Sequence, residues 1–94
     1  MTSSEQGKYR LATIRNELGL HARSAALVAG LAQNSRGPVW IVKEAQRADA
    51  SSIIDILTLV CKKGTEIKII IEDPADSEIL DAIVQLVASG FGEQ

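Results

Sequence analysis

The chain has 94 residues, a formal net charge of −2 at pH 7 and 46% hydrophobic residues, of which only Tyr9, Trp40 and Phe91 are aromatic. This length fits one domain with an aliphatic core, and the near-balanced charge excludes broad nucleic-acid binding, which needs a basic surface. Cys61 is the only cysteine, which excludes an internal disulfide and a multi-cysteine metal site and fits a reducing cytoplasm.

The N-terminal residues are polar and lack the apolar stretch of a secretory signal, and no apolar run reaches the length of a transmembrane helix. We therefore expect a cytoplasmic protein without membrane insertion. We also expect a single domain over residues 1–94, with residues 1–7 as a flexible tail. Neither a cofactor nor a metal site is expected.

The first third of the chain predicts a strand followed by a helix. Lys8–Arg15 has a strand pattern, but its alternation leaves open which of its two faces is buried. Asn16–Leu20 is a loop with its tight turn at Gly19, because glycine tolerates backbone angles that other residues avoid. Residues 22–33 carry apolar side chains at three- and four-residue intervals and predict the first helix.

The middle of the chain predicts two strands and a short helix. The β-branched and aromatic run Val39–Lys43 predicts a strand, and a polar turn at residues 44–47 leads into a short strand at Ala48–Ala50. Ser52 is a favoured N-cap residue, and apolar positions at helical spacing follow it, so we expect a helix over residues 52–59.

The last third predicts the clearest strand and the longest helix. Gly64 and the two lysines before it fit the end of the preceding helix. Residues 65–72 place Ile67, Ile69 and Ile71 on one face and a mostly polar set on the other, which predicts a strand, and residues 75–88 predict a helix that stops at Gly90. The order βαββαβα predicts an α+β fold, a two-layer open-faced sandwich with a four-stranded antiparallel sheet and three helices on one face.

The candidate functional site lies where the first helix begins. His21, the only histidine, stands at the predicted helix N-terminus, with Arg23 two residues later. Unpaired backbone N–H groups and the helix dipole make that place suitable for an anion, above all phosphate. A nucleophilic imidazole beside such a site fits reversible phosphorylation of a histidine, although a lone histidine there is often only a weak cap or a solvated side chain.

Two stretches of the chain resemble HPr, the histidine-containing phosphocarrier of the bacterial phosphoenolpyruvate-dependent sugar phosphotransferase system. The sequence Gly-Leu-His-Ala-Arg-Ser-Ala at residues 19–25 is similar to the family's active-site signature, Gly-[Leu/Ile]-His-Ala-Arg-Pro-Ala. The sequence Ala-Asp-Ala-Ser-Ser-Ile-Ile at residues 48–54 is similar to the segment that carries the family's regulatory serine. The resemblance extends from about Tyr9 to Val87, and HPr has the same order of elements.

The resemblance implies that His21 accepts a phosphoryl group on Nδ1 from phospho-enzyme I and passes it to an enzyme IIA-type acceptor. Arg23 would hold the phosphate oxygens, and the backbone N–H groups of Ala22, Arg23 and Ser24 in the first helical turn would complete the phosphate site. Such a protein is a phosphoryl-group carrier rather than an enzyme with its own substrate pocket. Nothing in the sequence argues for an oligomer, so we expect a monomer.

The resemblance also implies regulation and partner docking. Ser52 matches the serine that is phosphorylated in some bacteria, which makes HPr kinase/phosphorylase a candidate partner; alternatively, Ser51 and Ser52 form only an N-cap pair. The resemblance assigns partner docking to Leu20 and to an exposed apolar patch formed by Ile53, Ile54 and Leu57.

Two positions depart from the family pattern. Ser24 replaces a proline that pre-sets the first helical turn, so it restores a backbone N–H and adds a hydroxyl that either contacts phosphate or is a structural replacement. We expect Ser24 to alter transfer rate or partner choice rather than abolish function. Asp55 replaces a glycine common after the regulatory serine, where its carboxylate either repels a phosphate at Ser52 or helps to cap the helix.

Two other functions stay open. A regulatory HPr-like module would bind partners through the same surface without carrying phosphoryl groups, with phosphorylation of Ser52 as its control. A generic ferredoxin-like α+β scaffold with an incidental histidine would show His21 buried and hydrogen-bonded, rather than at an exposed helix N-terminus.

Overall fold

The computed structural model describes residues 8–93, which form a two-layer α+β domain. Its strands and helices are, in chain order, β1 (Lys8–Thr13), α1 (Ala22–Ala32), β2 (Val39–Lys43), β3 (Gln46–Asp49), α2 (Ile53–Leu57), β4 (Glu66–Ile71) and α3 (Ser77–Ala88). Short 3₁₀ turns stand before and after α3, at Pro74–Asp76 and Gly90–Gly92. The predicted fold and element order are confirmed, while the expected tail, residues 1–7, lies outside the described residues.

The strand β4 occupies the interior of the sheet. The strand order is β1-β4-β2-β3, and every neighbouring pair is antiparallel. The side chains of Ile67, Ile69 and Ile71 are buried in the core on one face of β4. Burial of an aliphatic side chain of this size contributes about 1.5–3 kcal/mol, so each of these isoleucines stabilises the core. The alternation predicted for β4 is confirmed.

The three helices cover one face of the sheet and leave the other face open. Ala12 packs against the core and Ile14, just beyond β1, is fully buried, which identifies the buried face that the alternation of this strand left open.

On the open face, the Arg47 guanidinium lies 4.1 Å from the centre of the Trp40 ring, a cation–π contact that covers part of the indole.

Two strands, β1 and β3, have a boundary two residues away from the predicted one. β1 ends at Thr13 rather than at Arg15, because its partner strand begins only at Glu66, the residue that faces Thr13. β3 spans Gln46–Asp49 rather than Ala48–Ala50. The predicted polar turn is shorter than expected because Glu44 adopts a left-handed conformation with φ of 54°, which lets pairing with β2 start at once.

Two helix boundaries, the end of α2 and the start of α3, also lie two residues away from the predicted ones. α2 has five residues and ends at Leu57 rather than Leu59, and Val60, with φ of 53°, takes the left-handed position that we expected of Gly64. The third helix begins as a 3₁₀ turn, where Asp73 Oδ1 accepts the N–H of Ala75. No helix within residues 8–93 combines the length and apolarity needed to cross a membrane.

A close backbone contact fixes the loop between β1 and α1. The N–H of Leu20 donates to the carbonyl of Cys61 at 2.9 Å, and Gly19 adopts φ of 67°. A Cβ atom on Gly19 would lie only 2.2 Å from the same carbonyl oxygen. Only glycine therefore allows the loop to lie against the segment that precedes β4, and this contact sets the point at which α1 begins.

We expect Gly19→Ala to be strongly destabilising, by more than about 3 kcal/mol, because it combines an unfavourable φ with a backbone clash. The control is Gly64→Ala, where φ is 92° but nothing lies within 4 Å of the added Cβ, so only backbone strain of about 1 kcal/mol is expected. Urea unfolding measures both free energies. Equal losses in the two variants would contradict the proposed clash with Cys61.

Candidate functional site

His21 is the N-cap residue of α1. Its backbone is extended, with φ of −124° and ψ of −175°, and its carbonyl accepts the first helical hydrogen bond from Ala25 at 2.8 Å. The His21 side chain lies opposite the backbone N–H of Ser24 without a hydrogen bond. At 30% exposure the imidazole is accessible to a partner, whereas the alternative of a scaffold with an incidental histidine would be supported by a buried imidazole.

The first turn of α1 can bind an anion beside His21. The N–H groups of Ala22, Arg23 and Ser24 belong to the first turn, where an α-helix supplies no carbonyl partner. The helix dipole adds partial positive charge at this end, and the Arg23 guanidinium adds a full one. The anion site expected at this place stays a prediction, for which the first turn of α1 supplies hydrogen-bond donors.

The hydroxyl of Ser24 is bonded to backbone groups of the loop and is not exposed at the surface. Its side chain is fully buried, and Oγ accepts the N–H of His21 at 2.9 Å. The same oxygen lies 3.2 Å from the carbonyls of Gly19 and His21, to either of which it can donate. Of the two roles left open for this hydroxyl, the structure supports the structural one, and only the backbone N–H of Ser24 remains for a phosphate.

Glu93 brings a carboxylate into the site, which the sequence did not predict. Its Oε2 lies 2.7 Å from His21 Nε2 and 3.0 Å from Arg23 Nη1. Its Oε1 accepts a hydrogen bond of 2.8 Å from Asn16 Nδ2, and Asn16 also donates to the carbonyl of Gly19. The Glu93 side chain is only 16% exposed. The site therefore already holds an anion, bound by the two residues predicted to bind phosphate.

The C-terminal segment folds back to deliver this carboxylate. Gly90, Phe91 and Gly92 all have positive φ, between 59° and 73°, and turn the chain sharply after α3. The Phe91 ring is buried in the core and anchors the turn, and its carbonyl accepts a hydrogen bond from Arg23 at 3.4 Å. The sequence does contain a signal for this turn, because two glycines flank an aromatic residue and a carboxylate follows them.

The surroundings of Glu93 stabilise its charged form. The hydrogen bond from Asn16 is the main cause that lowers the pKa of the Glu93 carboxyl, and the contacts with His21 and Arg23 act in the same direction. Desolvation opposes them and does not reverse the shift. Glu93 is therefore ionised at neutral pH, and acts only as a hydrogen-bond acceptor.

The helix α2, which packs against α1, carries an exposed apolar surface. Ile54 is 78% exposed, with Ile53 exposed beside it and Leu57 partly buried. The fourth predicted docking residue does not belong to this surface, because Leu20 is only 7% exposed and packs in the core. Isoleucine side chains this exposed are typical of a binding surface when they are grouped.

Ser52 and Asp55 form the start of α2. Ser52 Oγ accepts the N–H of Asp55 at 3.1 Å, as an N-cap does. The Asp55 carboxylate does not return to the N–H of Ser52 but accepts the N–H of Asp49 at 2.8 Å. Ser51 also bonds to Asp49, through both its N–H and its hydroxyl. These contacts give Ser52 a capping role, with the Asp55 side chain in the first turn of the helix that it caps.

The chain is similar to phosphocarrier proteins over most of its length. The family model described as "PTS HPr component phosphorylation site" matches residues 9–89. Phosphocarrier protein HPr of Cupriavidus necator is 36% identical over 81 residues, 86% of this chain and 91% of that protein. Phosphocarrier protein NPr of Escherichia coli K12 is 37% identical over 81 residues, 85% and 90% of the two chains. HPr-C-His from Thermoanaerobacter tengcongensis has a TM-score of 0.84 at 34% identity, covering 93% and 98%.

We expect acid to release Glu93 from the site. The pKa of Glu93 is lowered in the folded protein. Its contacts therefore contribute their full stability at pH values above the ordinary glutamate pKa of about 4.3. This contribution is lost as the pH falls through the lower pKa of the folded state. Titration of the Glu93 carboxyl ¹³C shift should give a midpoint below that ordinary value. In Asn16→Ala the midpoint should rise, since the main stabilising hydrogen bond is gone; an unchanged midpoint would contradict this assignment.

Proposed function

Because the chain belongs to the HPr family of phosphotransferase-system phosphocarriers, we propose that His21 accepts a phosphoryl group from phospho-enzyme I and passes it to an enzyme IIA-type acceptor. The observation that supports this most strongly is the anion already bound at the site. One carboxylate oxygen of Glu93 contacts both the imidazole of His21 and the guanidinium of Arg23. The side chains needed to hold a phosphoryl group thus converge on a single negatively charged oxygen.

Transfer requires a nucleophile, an anion site and access for a partner. The lone pair of a neutral imidazole nitrogen attacks phosphorus, the bond from phosphorus to the donor atom breaks, and its electron pair returns to the donor. Arg23 and the N–H groups of the first turn of α1 offset the charge on the transferred oxygens. The accessibility of His21 lets a partner's acceptor approach in line, and the same steps in reverse discharge the carrier.

The site favours a carrier over an enzyme that turns over a substrate of its own. His21 is accessible at the mouth of a helix, and its neighbours hold an anion without enclosing it. A carrier must also give up the phosphoryl group, so strong stabilisation of the bound state would slow the second transfer. A shared, solvent-accessible Arg23 meets that requirement better than a closed pocket would. We propose that the protein does this work as a cytoplasmic monomer.

The exposed side chains of Ile53 and Ile54 on α2 supply the proposed docking surface for both partners. Because α2 packs against α1, we propose that one partner contacts His21 and this exposed apolar surface together. Relatives named HPr and NPr are similarly close to this chain, at 36% and 37% identity. The proposed acceptor can therefore belong to either a sugar-linked or a nitrogen-linked system.

Regulation through Ser52 by an HPr kinase/phosphorylase is the less supported part of the proposal. The hydroxyl already caps α2, and the carboxylate of Asp55 lies one helical turn away. Phosphorylation of Ser52 would remove the capping hydroxyl, and the Asp55 carboxylate would repel the added phosphate. For the same reason we rank the purely regulatory module below the carrier.

We expect the native protein to acquire one acid-labile phosphoryl group when incubated with enzyme I, Mg²⁺ and phosphoenolpyruvate. His21→Ala should acquire none, and Arg23→Lys should be labelled about 10²-fold more slowly, because a point charge replaces the guanidinium beside the transferred oxygens. Mass spectrometry of the intact chain measures the label. Ser52→Ala, the control, should be labelled like the native protein. Native protein that stays unlabelled by an enzyme I active on another carrier would overturn the proposal.

We expect Ile54→Ser to raise the KM for this carrier in the enzyme I reaction about tenfold, which corresponds to ~1.4 kcal/mol of lost interface energy. The matched control is Leu11→Ser, which removes an apolar side chain that is 54% exposed on the strand β1, outside α1 and α2. Steady-state phosphorylation assays compare the two variants. If Leu11→Ser raised KM as much as Ile54→Ser, the docking surface would not be on α2.

A further inference from the structure

We propose that Glu93 is a positioning residue, which holds the neutral His21 ring with its proton on Nε2 and thereby presents the lone pair of Nδ1 to the incoming phosphoryl group. This inference rests on the proposed function and assigns a role to a residue near the end of the chain. His21 and Glu93 are 72 positions apart in sequence and 2.7 Å apart in the structure, measured from Nε2 to Oε2.

The chemistry of the contact determines the position of the proton. An ionised carboxylate has acceptor oxygens and no proton to donate, so a hydrogen bond between Glu93 and Nε2 requires the proton to be on Nε2. In a neutral imidazole the other nitrogen then carries the lone pair. Nδ1 is the ring nitrogen bonded to the same carbon as the Cβ, and it is thus the one nearer the backbone and the first turn of α1.

The carboxylate can position the ring because both of its oxygens are bonded and the backbone of Glu93 is bonded as well. Asn16 binds Oε1, Arg23 binds Oε2, and the N–H of Glu93 donates to the carbonyl of Gly90 at 2.9 Å. Asn16 is buried and is fixed by its second hydrogen bond to Gly19. The carboxylate therefore cannot follow a rotating ring, and a group held in this way orients its partner as the carboxylates behind catalytic and metal-binding histidines do.

The proton and charge balance of the transfer agree with this role. When the Nδ1 lone pair forms the bond to phosphorus, the electron pair of the broken bond leaves with the donor, and the proton on Nε2 stays in place. The phosphorylated ring then carries a positive charge, which Glu93 offsets at 2.7 Å. No proton has to enter or leave during either transfer, and Arg23 is able to exchange one anionic oxygen for another.

Long-range ¹H–¹⁵N correlation spectra of the imidazole test this inference without any phosphoryl transfer. At alkaline pH, where imidazole is neutral, the native protein should show a single tautomer and a slowly exchanging Nε2 proton. Glu93→Ala should show a mixture of tautomers and fast exchange, and should be phosphorylated about tenfold more slowly, the smaller end of the range for such orienting partners. Glu93→Gln should retain one tautomer, since its amide oxygen still accepts a hydrogen bond.

The controls separate positioning from loss of charge or of fold. Glu17→Ala removes an exposed carboxylate that pairs with Lys63 and should change neither the spectrum nor the rate. A single tautomer with a protected Nε2 proton in Glu93→Ala would overturn the inference, and so would a mixture of tautomers with an unchanged rate. If the native protein accepted no phosphoryl group at all, the proposed function would fail, and the spectra alone would still decide where Glu93 puts the proton.

Discussion

The contact of the Gly19–Leu20 backbone with Cys61 is the constraint from which the site follows. Three residues before α1, the chain has no room for a Cβ, and the Leu20 N–H is bonded to the Cys61 carbonyl. This fixes the start of the helix, and therefore the place where unpaired N–H groups meet solvent. His21 is held at that place by its backbone, so its imidazole needs only one further contact to have a defined orientation.

The site is assembled from three parts of the chain that each have another structural role. Asn16 closes the loop before α1, Arg23 lies in its first turn, and Glu93 follows the turn that buries Phe91 in the core. Because Glu93 bridges them, the negative charge at the site is supplied internally when no phosphoryl group is bound. The first turn of α1 and the Arg23 guanidinium are thus pre-organised around an anion rather than left to collapse or to bind water.

The sequence predicted those features of the fold that depend on neighbouring residues. The alternation of β4, the strand at residues 39–43 and the start of α1 beside His21 all follow from side-chain period and helix-end chemistry, and the structure has them where expected. Burial and long-range pairing were not encoded in such patterns. The resemblance assigned Leu20 to partner docking, yet its side chain packs in the core. Glu93 was missed because no periodicity joins the end of the chain to residue 21.

The serine at position 24 shows how a departure from a family motif can preserve its geometry. Proline limits the first turn through its ring, whereas Ser24 limits it through hydrogen bonds, since its buried hydroxyl accepts the N–H of His21 and lies within bonding distance of the Gly19 carbonyl. These contacts tie the residue that carries the imidazole to the glycine that fixes the loop. The substitution also leaves a backbone N–H facing the imidazole, which a proline lacks. Any functional consequence of Ser24 therefore acts through this added donor, because the hydroxyl is already engaged inside the loop.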